Sequence, residues 1–142
     1  MKILPKIGVD DIQLGMNKKQ VQEILGKPDQ LEKDSDEERW EFDAGIELSF
    51  EKEDLYLLGS ITVFDDSARL ESQPIIGISE KDLLENFPHF LPDEDFGENG
   101  KSYDSEELQI LAWVHEGTVV NITLFPEYES TGQIPIWPKP RA

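Results

Sequence analysis

The sequence predicts an α+β fold: a tandem repeat of a helix plus a three-stranded antiparallel meander, with the helices on one face of a joined curved sheet and the other face open. Three observations predict it. Two short segments carry helix start and stop signals. Apolar runs with the period of two of β-strands follow each of them, separated by turn signals. The two halves also align at a nearly constant offset, which is the signature of an internal repeat.

The first helix lies within "LGMNKKQVQEILGKPDQ", Leu14 to Gln30. Asn17 is a favoured N-cap residue, and Gln20 at the third helical position completes a capping box. Met16 before the cap and Val21 at the fourth position form a hydrophobic staple. Val21, Ile24 and Leu25 follow helical spacing, Gly26 supplies a left-handed C-terminal stop, and Pro28 prevents continuation. The first three strands are expected around Arg39–Phe42, Ile46–Phe50 and Leu57–Phe64, with "DAG" turning between the first two. The second helix lies in "IGISEKDLLENFPHF", and its strands are expected around Ser102–Asp104, Leu108–His115 and Val119–Phe125, with "HEGT" as a tight turn.

A shift of 62 residues places Gly15 on Gly77, Asn17 on Ser79, Gln20 on Asp82, Val21 on Leu83 and Leu25 on Phe87. The same shift carries Ile46, Leu48 and Phe50 onto Leu108, Ile110 and Ala112, and a shift of 61 carries "SITVF" onto "NITLF". The expected organisation is therefore a first unit over residues 1–70, a second over 71–128 and a Pro-rich C-terminal tail over 129–142, in one compact body. Trp137 in that tail is expected either to pin it to the body or to contact a partner.

The 142 residues include 31 acidic and 13 basic side chains, for a formal net charge of −18. Residues 1–70 carry net −8 and residues 71–142 net −10, so the acidity is spread along the chain. Phosphates would be repelled and few cations exist for counterion release, which disfavours nucleic acid, and anionic membrane surfaces are disfavoured for the same reason. The positive implication is a basic protein partner drawn in by long-range attraction. There is no cysteine, so disulfides, thiolate metal sites and cysteine nucleophiles are excluded. The N-terminal "MKILPKIGVDD" lacks the apolar region and cleavage site of a signal peptide. The expectation is a soluble cytoplasmic protein.

No catalytic, metal or cofactor constellation stands out. His89 and His115 lie 26 positions apart and belong to no metal motif. "DSDEE" and "DEDFGENG" lack the pattern of a calcium loop. No nucleophile elbow, P-loop or dinucleotide fingerprint occurs. The chain is expected not to be an enzyme and to need no cofactor.

Strand alternation indicates where a partner would sit. Ile46, Leu48 and Phe50, and Leu108, Ile110, Ala112 and Val114, share the helix-covered face. The opposite face then carries Glu47, Glu51 and Phe64 in the first unit and Gln109, Leu111, Trp113, His115 and Phe125 in the second. A face left to water has no need of Leu111, Trp113 and Phe125, so these eight residues are the candidate partner-binding set; the alternative is that the tail or the "PHFLPDEDF" segment covers them. The facing of Trp40, Phe42 and Tyr103 is not fixed by the pattern.

The segment "LGMNKKQVQEILGKPD" resembles the helix motif of the SmpA/OmlA outer-membrane assembly lipoproteins; Met16, Val21, Leu25, Gly26 and Pro28 match, and Asn17 replaces the usual Ser or Thr. A tandem pair of such units is similar to the beta-lactamase inhibitor protein fold. That resemblance implies two helix-plus-sheet repeats joined into one curved sheet whose open face grips a target protein. The expected function is accordingly a non-catalytic protein-binding inhibitor, most concretely an immunity protein that neutralises a basic toxin such as a nuclease. Two alternatives are an SmpA/OmlA-like assembly or scaffolding module and an enzyme or metal-binding protein.

Overall fold

In the computed structural model, residues 1–140 are described; the last two residues of the expected tail lie outside them. In chain order the elements are β1 (Ile3–Leu4), β2 (Gly8–Val9), β3 (Ile12–Gln13), α1 (Lys18–Leu25), β4 (Gln30–Lys33), β5 (Glu37–Phe42), β6 (Ile46–Glu51), β7 (Leu58–Val63), β8 (Arg69–Leu70) and β9 (Gln73–Pro74). They continue with α2 (Glu80–Asn86), β10 (Leu91–Asp95), β11 (Lys101–Ser105), β12 (Ile110–His115), β13 (Thr118–Leu124), β14 (Glu127–Tyr128) and β15 (Pro135–Ile136).

The expected fold class does not hold. Strands take 44% of the residues and helices 15%, which makes the protein mostly β rather than a repeat of helix plus three-stranded meander. Its body is one eight-stranded antiparallel sheet in the order β10-β11-β12-β13-β7-β6-β5-β4. The reason lies in the exposed segments Gln30–Lys33 and Leu91–Asp95. Their polarity suggests loops, yet both pair as the outermost strands. An edge strand exposed along its whole length shows no apolar alternation, so the pattern that reveals inner strands is missing from it.

Alternation places the core on one side of the sheet. Trp40, Leu48, Phe50, Ile61, Val63, Tyr103, Ile110, Ala112, Val114, Ile122 and Leu124 are buried there. Trp40 and Tyr103 therefore face the covered side, and Phe42, two residues on from Trp40, packs partly buried against the same core. Val21 from α1 and Leu83 from α2 close over this surface with Ile3, Leu14, Ile75, Phe87 and Phe90. Each such side chain contributes about 1.5–3 kcal/mol on leaving water.

The helix ends follow the sequence signals with two differences. The capping box forms, with the Gln20 N–H donating to Asn17 Oδ1 at 2.8 Å and the Asn17 N–H donating to Gln20 Oε1 at 2.9 Å. Gly26 does take a positive φ of 80°, but its ψ of −164° lies outside the left-handed helical region expected for it. Of the stripe Val21, Ile24 and Leu25, only Val21 is buried; Ile24 is 44% exposed because α1 is only eight residues long and touches the sheet along one narrow line. In α2 the Ser79 hydroxyl accepts from the Asp82 N–H at 3.1 Å.

Polar anchors tie the first residue of each helix to the sheet. Lys18 ion-pairs with the buried Glu38 and lies 4.6 Å over the Tyr56 ring. The Trp40 indole N–H donates to the other oxygen of Glu38 at 2.9 Å. Glu80, which opens α2, accepts from the Tyr103 hydroxyl and pairs with Lys101 at 2.6 Å.

Candidate protein-docking face

The face opposite the helices can be written out from the strand register. One row runs across all eight strands: Gln30, Glu41, Glu47, Thr62, Thr123, Leu111, Asp104 and Leu91. At its centre β7 meets β13, and the Thr62 and Thr123 hydroxyls are hydrogen-bonded at 3.0 Å. A parallel row holds Glu32, Arg39, Ser49 and Ser60. On the other side Asn121, Trp113 and Ser102 lie side by side. Glu37 pairs with Glu51 at one end, and His115 with Thr118 at the other.

All eight candidate residues fall on this face or at its margin. Glu47, Glu51, Leu111, Trp113 and His115 alternate with buried neighbours and are half-buried. Phe64, just past β7, is 46% exposed. Phe125 follows β13 and donates its N–H to the carbonyl of Gln109, which sits in a positive-φ turn before β12.

Two of the chain's own segments partly cover the face. Phe96 packs on Trp113 with ring centroids 5.6 Å apart. Gly100 lies directly against the same indole; a Cβ there would come within 2.9 Å of it and within 2.7 Å of the Val114 carbonyl. Beyond β13, the β14–β15 hairpin stands over the opposite end, where the expected extended tail instead turns back on itself. Tyr128, Gln133 and Ile134 from the hairpin, with Phe125, Ser49, Ser60, Glu51, Glu53 and Asp54, line a cleft of about 670 Å³. Trp137 then pins the chain to the body by packing on Gly15, whose positive φ and absent side chain leave room for the indole.

The face is strongly anionic. On β4–β6 it carries Glu32, Glu37, Glu41, Glu47 and Glu51 around a single cation, Arg39. Arg39 reaches Glu47 at 2.9 Å, Glu37 at 3.4 Å and Glu32 at 3.8 Å. Burial pushes the Glu47 carboxyl up; Arg39 opposes this, while Glu41, Glu32 and Glu37 add to it. Burial also raises Glu51, reinforced by the Glu53 hydrogen bond and by the Glu53 and Asp54 charges. Asp54 is raised by burial and Glu53, and Asp104 by burial, Asp93 and Glu106. Tyr128 is raised by burial and by Asp54, Glu51 and Glu53. Carboxylates held this way carry unspent attraction for an incoming cation.

The acids beneath the helices behave oppositely. Burial alone would raise Glu38, but hydrogen bonds from Lys18 and Trp40 outweigh it and hold the group low. Lys101 and Tyr103 hold Glu80 low. A raised carboxyl destabilises the fold while ionised, so stability is gained as pH falls through its folded value. A lowered carboxyl stabilises above its unfolded value, and that stability is lost as pH falls through its folded value. The urea midpoint is therefore expected to rise from neutral pH into the upper carboxylate range and to fall below the ordinary carboxylate range. A midpoint that only declines on acidification would contradict this balance.

Among the described residues no group of three or more His, Cys, Asp or Glu side chains is arranged to hold a metal ion. His89 pairs with Glu107 at 2.8 Å and lines a cleft with Leu91, Asp93 and Asp104 at the β10–β11 edge. Among the same residues no helix is long and apolar enough to cross a membrane.

No known protein family and no curated protein matches the sequence. Two solved structures share the fold. One is a DUF4309 family protein, YjgB, from Bacillus subtilis subsp. subtilis str. 168, with a TM-score of 0.57 and 15% identity over 85% of this chain and 88% of that one. The other is an extracellular protein containing a SCP domain from Bacillus anthracis str. Ames, with a TM-score of 0.56 and 11% identity over 80% of this chain. This chain spans 44% of the length of the latter. At such identities the likeness is one of fold alone.

Proposed function

We propose that this protein is a non-catalytic binding module whose open sheet face occludes a basic protein, as an immunity protein neutralises its toxin. The observation that carries the reading is the composition of that face. Half-buried Leu111 and Trp113, with exposed Phe64 and Phe96, stand between carboxylates on both flanks. Apolar anchors within a charged rim are the anatomy of a protein interface, and the sign of the rim selects a cationic partner. The net charge of −18 adds long-range steering, which raises association rates most when salt is low.

The test begins with the purified protein as bait in an extract of its native organism. The captured protein is then identified, purified and measured alone. The expected result is a basic protein whose association slows several-fold between low and physiological salt, as steering between opposite charges requires. A captured partner of acidic character, or an association rate indifferent to salt, would overturn the proposal.

A further inference from the structure

The face is patterned, and the pattern constrains what the partner presents; this inference rests on the binding reading above. Along the row that crosses the sheet, Leu111 on β12 is paired with Asp104 on β11 and with Thr123 on β13. The next partners are Thr62 on β7, Glu47 on β6 and Glu41 on β5. Uncharged side chains therefore occupy three consecutive strands, with a carboxylate next to them on one side and a block of glutamates on the other. Neighbouring strands lie about 4.8 Å apart, so Asp104 is one strand, about 5 Å, from Leu111, and Glu47 is three strands, about 14 Å, away. Trp113 and Asn121 continue the uncharged strip in the adjoining row, and Phe96 roofs Trp113. Asp93 joins the near flank through the Ser102 hydroxyl, at 3.0 Å.

We infer that the partner docks an apolar side chain over Leu111 and Trp113, flanked unequally by cations: one close by over Asp104, and a pair further off over Glu47 and Glu41. The chemistry on each side differs. The apolar strip offers contact area to a side chain leaving water. The glutamate block is already part-neutralised by Arg39, so the distant cations meet carboxylates that are fixed in place, with Glu37 held by the Ser49 hydroxyl at 2.7 Å and Glu47 by Arg39. The raised carboxyls of Glu47 and Asp104 accord with cation sites on both flanks. A partner with the same charge but no apolar group at the unequal spacing satisfies only the outer sites.

The order can be tested with peptides on the purified protein. In an extended chain of about 3.3 Å per residue, four residues span the far gap and one or two the near one. The first peptide carries two lysines two positions apart, a tryptophan four positions after the second and one lysine two positions after that, in a serine background, so that all four side chains share one face of the extended chain. The second has the same composition with its lysines together at one end and its tryptophan at the other. Nitrogen-resolved spectra report the Arg39 Nε–H and the Trp113 indole N–H, one in each zone, with the Trp40 and Trp137 indoles as references. The ordered peptide is expected to shift both reporters and to bind about tenfold more tightly than the scrambled one. Equal affinity with both reporters shifted would overturn the ordered pattern and leave the docking face standing. Shifts in neither reporter with either peptide would remove the docking face itself.

Discussion

Replacing Trp40 with alanine is expected to destabilise the protein by about 3–5 kcal/mol, the cost of removing a large aromatic side chain from a packed core. The ring is 4% exposed and sits on the covered face of β5. Its centroid is 4.9 Å from that of Phe50, itself fully buried, and 6.5 Å from that of Phe42. The strand beyond it, β4, is exposed along its whole length, so little can collapse into the space left behind. The substitution also strips Glu38 of its indole donor and leaves the Lys18 ion pair as its main compensation. Trp40→Phe separates the two contributions. It keeps an aromatic ring and loses the hydrogen bond to the charged carboxylate, for which about 1.5–3 kcal/mol is the ordinary range, together with the small volume by which indole exceeds phenyl. Urea unfolding of the two variants beside the wild type measures both. An alanine variant as stable as the phenylalanine one would show that packing around Trp40 contributes little.

The Trp40 environment also shows where the sequence is informative and where it is silent. The inner strands announce themselves, because Ile46, Leu48 and Phe50, or Ile110, Ala112 and Val114, must face one way to be buried. The facing of Leu111, Trp113 and Glu47 then follows from the period of two. The caps at Asn17 and Ser79 are equally legible, since only a few side chains satisfy the free N–H groups that open a helix. Edge strands give no such signal. Gln30–Lys33 and Leu91–Asp95 need bury nothing, so polarity alone suggests loops there, and an eight-stranded sheet is read as two three-stranded meanders joined into one.

The contacts that sequence reasoning misses are those made between distant segments. Lys18 meets Glu38 and Glu80 meets Lys101 only because the helices lie across the sheet. "EERWEF" places Trp40 and Glu38 on one side of a strand, but an acidic residue on that side argues against burial until its lysine is found. Cover for Trp113 from the "PHFLPDEDF" segment is, by contrast, legible as an alternative, and Phe96 at its end supplies it where Gly100, with φ of 115°, brings the chain back onto the strand. The tail is misread for a different reason. Its prolines suggest an extended segment, whereas Pro135 pairs with Tyr128, and Glu129 donates its N–H to the Ile134 carbonyl to close a hairpin. That hairpin walls the cleft beside Phe125, so the candidate face is narrower at that end than strand alternation implies.

The proposed basic partner docks on this open face rather than on the helix side or the sheet edges. Leu111 is the sharpest place to test it. It lies on β12, inside the sheet, between Asp104 and Thr123, and its side chain is half-buried with buried residues on either side. An arginine there keeps an aliphatic stem along the sheet while its guanidinium reaches water, so the fold is expected to survive. For a basic partner the same change removes an apolar contact and sets a like charge at the centre of the interface. The expected loss is about 2–4 kcal/mol, roughly thirtyfold to a thousandfold in affinity. Leu84→Arg is the matched control: it is 39% exposed on α2, on the far side of the sheet, and carries the same change in charge. The decisive measurement is the affinity of the captured basic partner for wild type, Leu111→Arg and Leu84→Arg, with urea midpoints confirming that all three are folded. Only Leu111→Arg is expected to lose binding; equal affinities for the two variants, or a loss confined to Leu84→Arg, would place the docking site elsewhere.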